Sequence, residues 1–122
     1  MRPKKVILCV DDNEQDLSVL KFMLVTNGYR VLSAITGKEA IGIFADNLID
    51  LVLADFSMPE MNGDQLAKEI KTLKPEQRLI LLTGFGDLMN GAGETPEGVD
   101  LVVGKPFTMN TLRDAIAKVR PH

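Results

Sequence analysis

The sequence predicts an α/β fold in which a doubly wound, five-stranded parallel sheet is sandwiched between two layers of helices. Unbroken apolar runs at residues 6–10, 51–54 and 79–82 are typical of central strands buried on both faces. Segments with helical periodicity separate the predicted strands, and this alternation indicates βαβ units. We expect the strand order 2-1-3-4-5, because right-handed crossovers leave two common orders and the second strand is the most polar of the five.

The first helix and the second strand follow the run at residues 6–10. The predicted buried stripe of this helix consists of Leu17, Leu20 and Leu24, widened by Phe22 and Met23. The helix should stop at Asn27 and Gly28, since glycine is common just beyond a helix C-terminus. Residues 29–34 then form a mixed strand that suits a sheet edge.

The second and third helices have recognisable start signals. Thr36 and Glu39 have the spacing of a capping box, and Asn62 is a plausible N-cap. The third helix should end before Pro75, because the residue before proline disfavours helical geometry. The residues expected to face inward are Ala40, Ile41, Phe44 and Ala45 in the second helix, and Leu66, Ala67, Ile70 and Leu73 in the third.

The regular pattern breaks between the fourth and fifth strands. Residues 84–98 contain five glycines and Pro96, which predict a fourth helix that is short or irregular. Residues 99–103 form the fifth predicted strand, and Thr108 is expected to cap the last helix. The inward residues of that helix are predicted to be Leu112, Ala115, Ile116 and Val119.

Length and composition indicate one globular domain, residues 1–122. The chain is 45% hydrophobic and 25% charged, which argues against disordered and collagen-like classes. No apolar run approaches a membrane span, and a net charge of −3 gives no support for direct nucleic-acid binding. The single Cys9 cannot form an internal disulfide, which favours a reducing compartment, so we expect a cytoplasmic protein. The lack of a membrane-spanning run predicts no membrane association.

Polar residues of a particular kind follow four of the predicted strands: Asp11 and Asp12, then Asp55, Thr83 and Lys105. They should converge, because open α/β sheets bind ligands at the carboxyl ends of their strands. Three carboxylates in one crevice repel unless a cation joins them, and oxygen-only ligands suit Mg²⁺. A metal beside a carboxylate, a lysine and a hydroxyl is typical of phosphoryl transfer, with Asp55 as the nucleophile.

These motifs carry a resemblance to a known family. The chain resembles the receiver domain of two-component response regulators, which has a CheY-like (flavodoxin-like) fold, in Asp11-Asp12, Asp55-Phe56-Ser57-Met58-Pro59 with Gly63, Thr83-Gly84 and Lys105-Pro106-Phe107. Any one motif is weak evidence. Together they cover the whole chain in the right order.

The resemblance implies a role for each residue. Asp55 looks like the phosphoacceptor, which Lys105 would pair with before and after phosphorylation. Asp12 looks like the direct Mg²⁺ ligand, Asp11 like a ligand acting largely through water, and the backbone carbonyl of Ser57 would complete the metal site.

The resemblance also implies a readout of phosphorylation. Thr83 would donate a hydrogen bond to the phosphoryl group. Receivers often carry Tyr or Phe three residues before the lysine, and its ring turns inward when the threonine moves. Val102 occupies that position here and cannot make this move, so we expect another route. Phe107 is a further candidate for the readout, and the Lys105-Pro106 bond is similar to one that is cis in the family.

The expected partners also follow from the resemblance. The phosphodonor would be a phosphohistidine on a sensor histidine kinase or phosphotransfer domain. A downstream effector or linked output domain would use the face formed by the fourth helical segment, the fifth strand and the last helix. We expect no enzyme activity beyond self-catalysed phosphorylation and dephosphorylation.

Two rival functions remain open. A small Mg²⁺-dependent phosphatase or phosphotransferase with an aspartate nucleophile needs Asp-x-Asp at its first strand and a substrate-capping insertion, whereas this chain has adjacent Asp11 and Asp12. A phosphorylation-independent interaction module predicts the loss of some acids or of the lysine, and all are present.

Overall fold

A computed structural model describes residues 4–84 and 96–119 of the protein. Its elements, in chain order, are β1 (Val6–Val10), α1 (Glu14–Thr26), β2 (Arg30–Ala34), α2 (Gly37–Asp46), β3 (Leu51–Asp55), α3 (Gly63–Leu73), β4 (Leu79–Thr83), β5 (Leu101–Gly104) and α4 (Met109–Val119). The short or irregular helix predicted between β4 and β5 falls mainly on residues 85–95, outside the described part of the chain. None of the described helices has the length and hydropathy needed to cross a membrane.

The five strands form one sheet in the order β2-β1-β3-β4-β5, and every neighbouring pair is parallel. The predicted order and fold class are therefore confirmed. Every residue of β3 and β4 is buried, as expected for strands covered by helices on both faces. The edge strand β2 begins with an exposed residue and is only partly buried at its centre.

Alternation along the strands divides the core between the two faces of the sheet. Ile7 and Cys9 of β1 belong to a core that includes the buried residues of α1 and α4. Leu8 and Val10 belong to a second core, which includes those of α2 and α3. Two hydrophobic layers thus hold the sheet, and the carboxyl ends of its strands remain available for polar residues.

Local signals fix where the first two helices begin. The Asn13 side chain accepts a hydrogen bond from Asp16 N at 3.0 Å and caps α1. The Thr36 hydroxyl accepts one from Glu39 N at 3.0 Å, as the capping-box spacing predicted. The Glu39 carboxylate reaches one residue further back than expected and accepts from Ile35 N at 3.1 Å.

Some of the predicted inward residues are exposed. Phe22 is 70% exposed because it lies two positions, or about 200° of helical rotation, from both Leu20 and Leu24. Leu73, the last residue of α3, is 57% exposed, and Ala45 is exposed as well.

The fifth strand starts later than predicted. Gly98 has φ +86°, and Val99 N donates a hydrogen bond to Pro96 O at 3.1 Å. This turn includes Val99, the first residue expected to be extended, and β5 begins at Leu101. Val99 is nevertheless buried in the core shared with α2 and α3.

Two leucines of α3 provide a matched test of core packing. Leu66 is fully buried, whereas Leu73 is 57% exposed. We expect Leu66→Ala to lower the free energy of unfolding by about 2–5 kcal/mol, because it removes buried methyl groups and leaves a cavity. Leu73→Ala should lower it by less than about 0.5 kcal/mol. Urea denaturation measures both, and equal losses would contradict the assigned burial.

Cys9 should be chemically inert in the folded protein. Burial, together with the charge of Asp11, raises the pKa of its thiol to about 12. Since the thiolate is the reactive form, roughly one molecule in ten thousand carries it at about pH 8. We expect iodoacetamide to leave the native protein unmodified at that pH and to modify it in urea. Rapid modification of the native protein would show that Cys9 is accessible.

Candidate functional site

The carboxyl ends of four strands carry the polar residues singled out in the sequence. Asp11 directly follows β1, Asp55 ends β3, Thr83 ends β4, and Lys105 directly follows β5. All five strands run in the same direction, so these ends lie along one edge of the sheet. The site therefore arises from the strand order and not from any one segment of the chain.

The loop after Asp55 folds back closely on the strand. Phe56 N donates a hydrogen bond to Leu82 O, and Gly63 N donates one to Phe56 O, both at 2.8 Å. A Cβ atom at Gly63 would lie 2.5 Å from the Asp55 carbonyl oxygen and equally near a methyl group of Leu81. The glycine eight residues after Asp55 is thus required by close packing against the strand that carries this acid.

Lys105 links the acids across the sheet. Its Nζ lies 2.8 Å from Asp55 Oδ1, 3.6 Å from Asp11 Oδ2 and 4.0 Å from Asp16 Oδ2. Lys105 N donates to Thr83 O at 2.7 Å, which fixes the backbone beside β4. The following peptide bond, Lys105-Pro106, is cis, as the resemblance implied.

Three carboxylates form a compact cluster beside this lysine. One oxygen each from Asp11, Asp12 and Asp55 can be chosen so that all three lie within 4.8 Å of one another. Asp11 and Asp55 are buried, whereas Asp12 is exposed. Asp11 Oδ1 accepts a hydrogen bond from Asn13 N at 2.9 Å, so the N-cap region of α1 holds its carboxylate in place.

Three carboxylates lie beside one lysine here, so negative charge is in excess. Burial, assisted by the neighbouring acids, raises the pKa of Asp55 and of Asp11, although Lys105 acts in the opposite direction. Burial lowers the pKa of Lys105, but its hydrogen bond to Asp55 and the surrounding carboxylates outweigh this, and that pKa is raised. An additional cation would relieve the repulsion.

The donor set fits a hard divalent ion. The clustered atoms are all carboxylate oxygens, with no sulfur or imidazole among the three residues. Mg²⁺ prefers such ligands and commonly binds one or two carboxylates alongside phosphate. The cluster therefore meets the chemical requirement for Mg²⁺ at the position that the sequence predicted.

Thr83 brings a hydroxyl to the same edge. The residue is only 1% exposed, and its Oγ1 has no hydrogen-bond partner in the described part of the chain. A buried polar atom without a partner costs free energy, which a ligand acceptor can recover. The hydroxyl is thus suited to donate to a group that arrives at the site.

Three more residues were predicted to belong to the site or its readout. Ser57 is exposed in the loop two residues after Asp55, and the role of its carbonyl stays a prediction. Val102 is partly buried within β5 and packs against the core shared with α2 and α3. Phe107 packs against the opposite core. Their roles in a readout also stay predictions.

Asp16 is the site residue that sequence reasoning missed. It lies in the first turn of α1, and its side chain is 59% exposed. It nevertheless lies within ion-pair distance of Lys105. The available signal was that, in a βα unit, the first turn of the helix lies close to the strand end that precedes it.

Comparison with known proteins gives a consistent result. The model of the response regulator receiver domain family matches residues 7–117. Transcriptional regulatory protein GlrR of Escherichia coli (strain K12) is 34% identical over 110 residues, which are 90% of this chain and 25% of that protein. Sporulation initiation phosphotransferase F of Bacillus subtilis (strain 168) is 31% identical over 115 residues, 94% of this chain and 93% of that protein. The chain thus spans about a quarter of the first of these relatives.

Solved structures show the same similarity. A response regulator receiver domain protein from Clostridium thermocellum superposes with a TM-score of 0.87 at 37% identity, covering 94% of this chain and 93% of that one. Response regulator protein TrrA from Thermotoga maritima, solved in complex with Mg²⁺-BeF, gives 0.85 at 32% identity, covering 94% and 98%. The chain belongs to the response regulator receiver domain family.

Proposed function

We propose that Asp55 is the phosphoacceptor of this receiver domain and that its donor is a phosphohistidine on a sensor histidine kinase or phosphotransfer domain. The observation that carries the proposal is the 2.8 Å contact between Asp55 Oδ1 and Lys105 Nζ beside the other two acids. A carboxylate in this setting has a fixed cation next to it and two further acids that can hold a metal. Those are the requirements of phosphoryl transfer to an aspartate.

In the proposed reaction, a carboxylate oxygen of Asp55 attacks the phosphorus of the donor. The new O–P bond forms as the P–N bond to the donor imidazole breaks, and the electron pair leaves with the imidazole nitrogen. Lys105 then places its ammonium against the oxygens of the transferred group. The Thr83 hydroxyl, which has no partner in the described residues, donates a hydrogen bond to it.

Mg²⁺ is the proposed cofactor, and when bound it would neutralise negative charge on the transferring oxygens. Asp12, which is exposed, would be the direct ligand together with Asp55, and Asp11 would act largely through water. The backbone carbonyl of Ser57 would complete the set. The geometry of the three clustered carboxylates supports this assignment, because a cluster with excess negative charge favours a cation.

The proposed output runs through protein contacts. The face would comprise the segment between β4 and β5, β5 itself and α4, and would bind a downstream effector or a linked output domain. Relatives such as GlrR, a transcriptional regulatory protein by name, extend far beyond the matched part, which supports a linked output in those proteins. With Val102 in place of an aromatic residue, we propose a readout that does not use ring rotation. Phe107 is a candidate for it.

The proposal includes a cytoplasmic location and residues 1–122 as one receiver domain. The protein would act as a switch and have no catalytic turnover beyond its own phosphorylation and dephosphorylation. The absence of Asp-x-Asp after β1 supports this over the phosphatase alternative, since the acids there are adjacent.

Labelling of Asp55 tests the proposed function. With Mg²⁺ and phosphoramidate or a phosphorylated histidine phosphotransfer domain, we expect one phosphoryl group per chain, detected by intact mass and located at Asp55. Asp55→Asn should lose the label, while Asp46→Asn, an exposed acid at the end of α2, should keep it. A label that persists for seconds or longer indicates a switch. Rapid loss with continued donor consumption would instead indicate a turnover enzyme.

Metal binding can be tested through stability. Because Mg²⁺ should bind only the folded protein, millimolar Mg²⁺ should raise the midpoint temperature of thermal unfolding. At a Mg²⁺ concentration a hundredfold above Kd, the added stability is about 2.7 kcal/mol. Asp12→Asn should abolish this gain, whereas Asp46→Asn should retain it.

The same variants test the charge excess without metal. Asp12→Asn removes one of three repelling carboxylates, so it should be at least as stable as the wild type in EDTA. If Mg²⁺ stabilises the wild type and Asp12→Asn equally, the metal binds elsewhere.

A further inference from the structure

Lys105 has a third carboxylate neighbour that the proposed reaction does not use. Asp16 Oδ2 lies 4.0 Å from Lys105 Nζ, compared with 2.8 Å for Asp55 Oδ1 and 3.6 Å for Asp11 Oδ2. The side chains of Asp55 and Asp11 are 11% and 4% exposed, whereas that of Asp16 is 59% exposed. Asp16 therefore lies on the solvent side of the lysine that contacts the proposed phosphoacceptor Asp55.

The backbone of Asp16 is fixed at this position. Its N donates a hydrogen bond to the Asn13 side chain at 3.0 Å, which places it in the first turn of α1. Asn13 N in turn donates to Asp11 Oδ1 at 2.9 Å. Asn13 thus holds both Asp11, a buried acid of the site, and Asp16, the exposed acid outside it.

A groove lies beside Asp16 and Lys105. Its volume is ≈ 440 Å³, and its charged lining residues are Asp11, Asp16 and Lys105. Two acids thus accompany one lysine in the lining, so Asp16 adds negative charge next to the cation that contacts Asp55.

We infer that Asp16 is a specificity-determining residue that disfavours small, doubly negative phosphodonors at Asp55. This inference rests on the proposed function. A free acyl phosphate is drawn to the site mainly by the positive charges of Lys105 and the metal. The negative charge of Asp16 offsets part of that attraction. For a dianion about 6–12 Å away in a water-like dielectric, one added carboxylate slows transfer by about three- to tenfold at low ionic strength. A protein donor can place a cation against Asp16 and so avoid the loss.

The test compares labelling rates of Asp55 in Mg²⁺ for wild type, Asp16→Asn, Asp16→Glu and Glu14→Gln. Glu14 is a matched control, because it is an exposed acid in the same helical turn and has no ion pair with Lys105 among the described contacts. The donors are acetyl phosphate, a dianion near neutral pH, and phosphoramidate, which carries one net negative charge. Each is used at an ionic strength of about 0.01 M and about 1 M.

With acetyl phosphate at low salt, Asp16→Asn should be labelled about three to ten times faster than the wild type. The gain should be smaller with phosphoramidate and should largely vanish at high salt. Asp16→Glu should retain the slow rate, and Glu14→Gln should gain clearly less than Asp16→Asn. A structural effect of the substitution would depend on neither salt nor donor charge.

Other results would overturn the inference. Equal rates for the wild type and Asp16→Asn at low salt would exclude a role for Asp16, provided that both are labelled. An equal gain in Glu14→Gln would assign the effect to net charge alone, and a gain that survives high salt would assign it to altered structure. If no donor labels the wild type or any variant, the proposed function fails and the inference fails with it.

Discussion

The contact of Lys105 with Asp55 spans the ends of β5 and β3, two strands separated in the sheet by β4. Lys105 also lies 3.6 Å from Asp11, which follows β1, so one ammonium group links the ends of three strands. This geometry is possible only because the parallel strands all present their carboxyl ends at one edge. The acids could not be buried together without it, since uncompensated buried carboxylates are costly.

The two ends of β5 show opposite charge arrangements. Before the strand, Asp100 pairs with Lys71 at 3.1 Å and Arg78 at 3.3 Å, and accepts a hydrogen bond from Leu79 N at 2.8 Å. One acid with two cations suits a structural connection between α3, β4 and β5. After the strand, Lys105 faces three acids. The excess of negative charge at that end is what makes it suited to a metal cation.

The site combines a rigid frame with one incomplete interaction. The cores on both faces, the hydrogen bond from Lys105 N to Thr83 O and the close approach at Gly63 fix the backbone around Asp55. Within that frame the Thr83 hydroxyl is buried and has no partner in the described residues. A buried hydroxyl without a partner costs free energy, so a ligand acceptor that satisfied it would favour one conformation over another.

The sequence by itself determined the strands, their order and the acids at their ends, because unbroken apolar runs, helix caps and the handedness of crossovers are local or topological signals. It placed Asp11, Asp12, Asp55, Thr83 and Lys105 at one edge of the sheet. Only the tertiary structure decided that β5 begins at Leu101 and that Asp16 lies next to Lys105. The first depends on the hydrogen-bonded turn at Gly98. The second depends on how far two side chains distant in the chain reach from their packed backbones, and spacing along the sequence does not encode that reach.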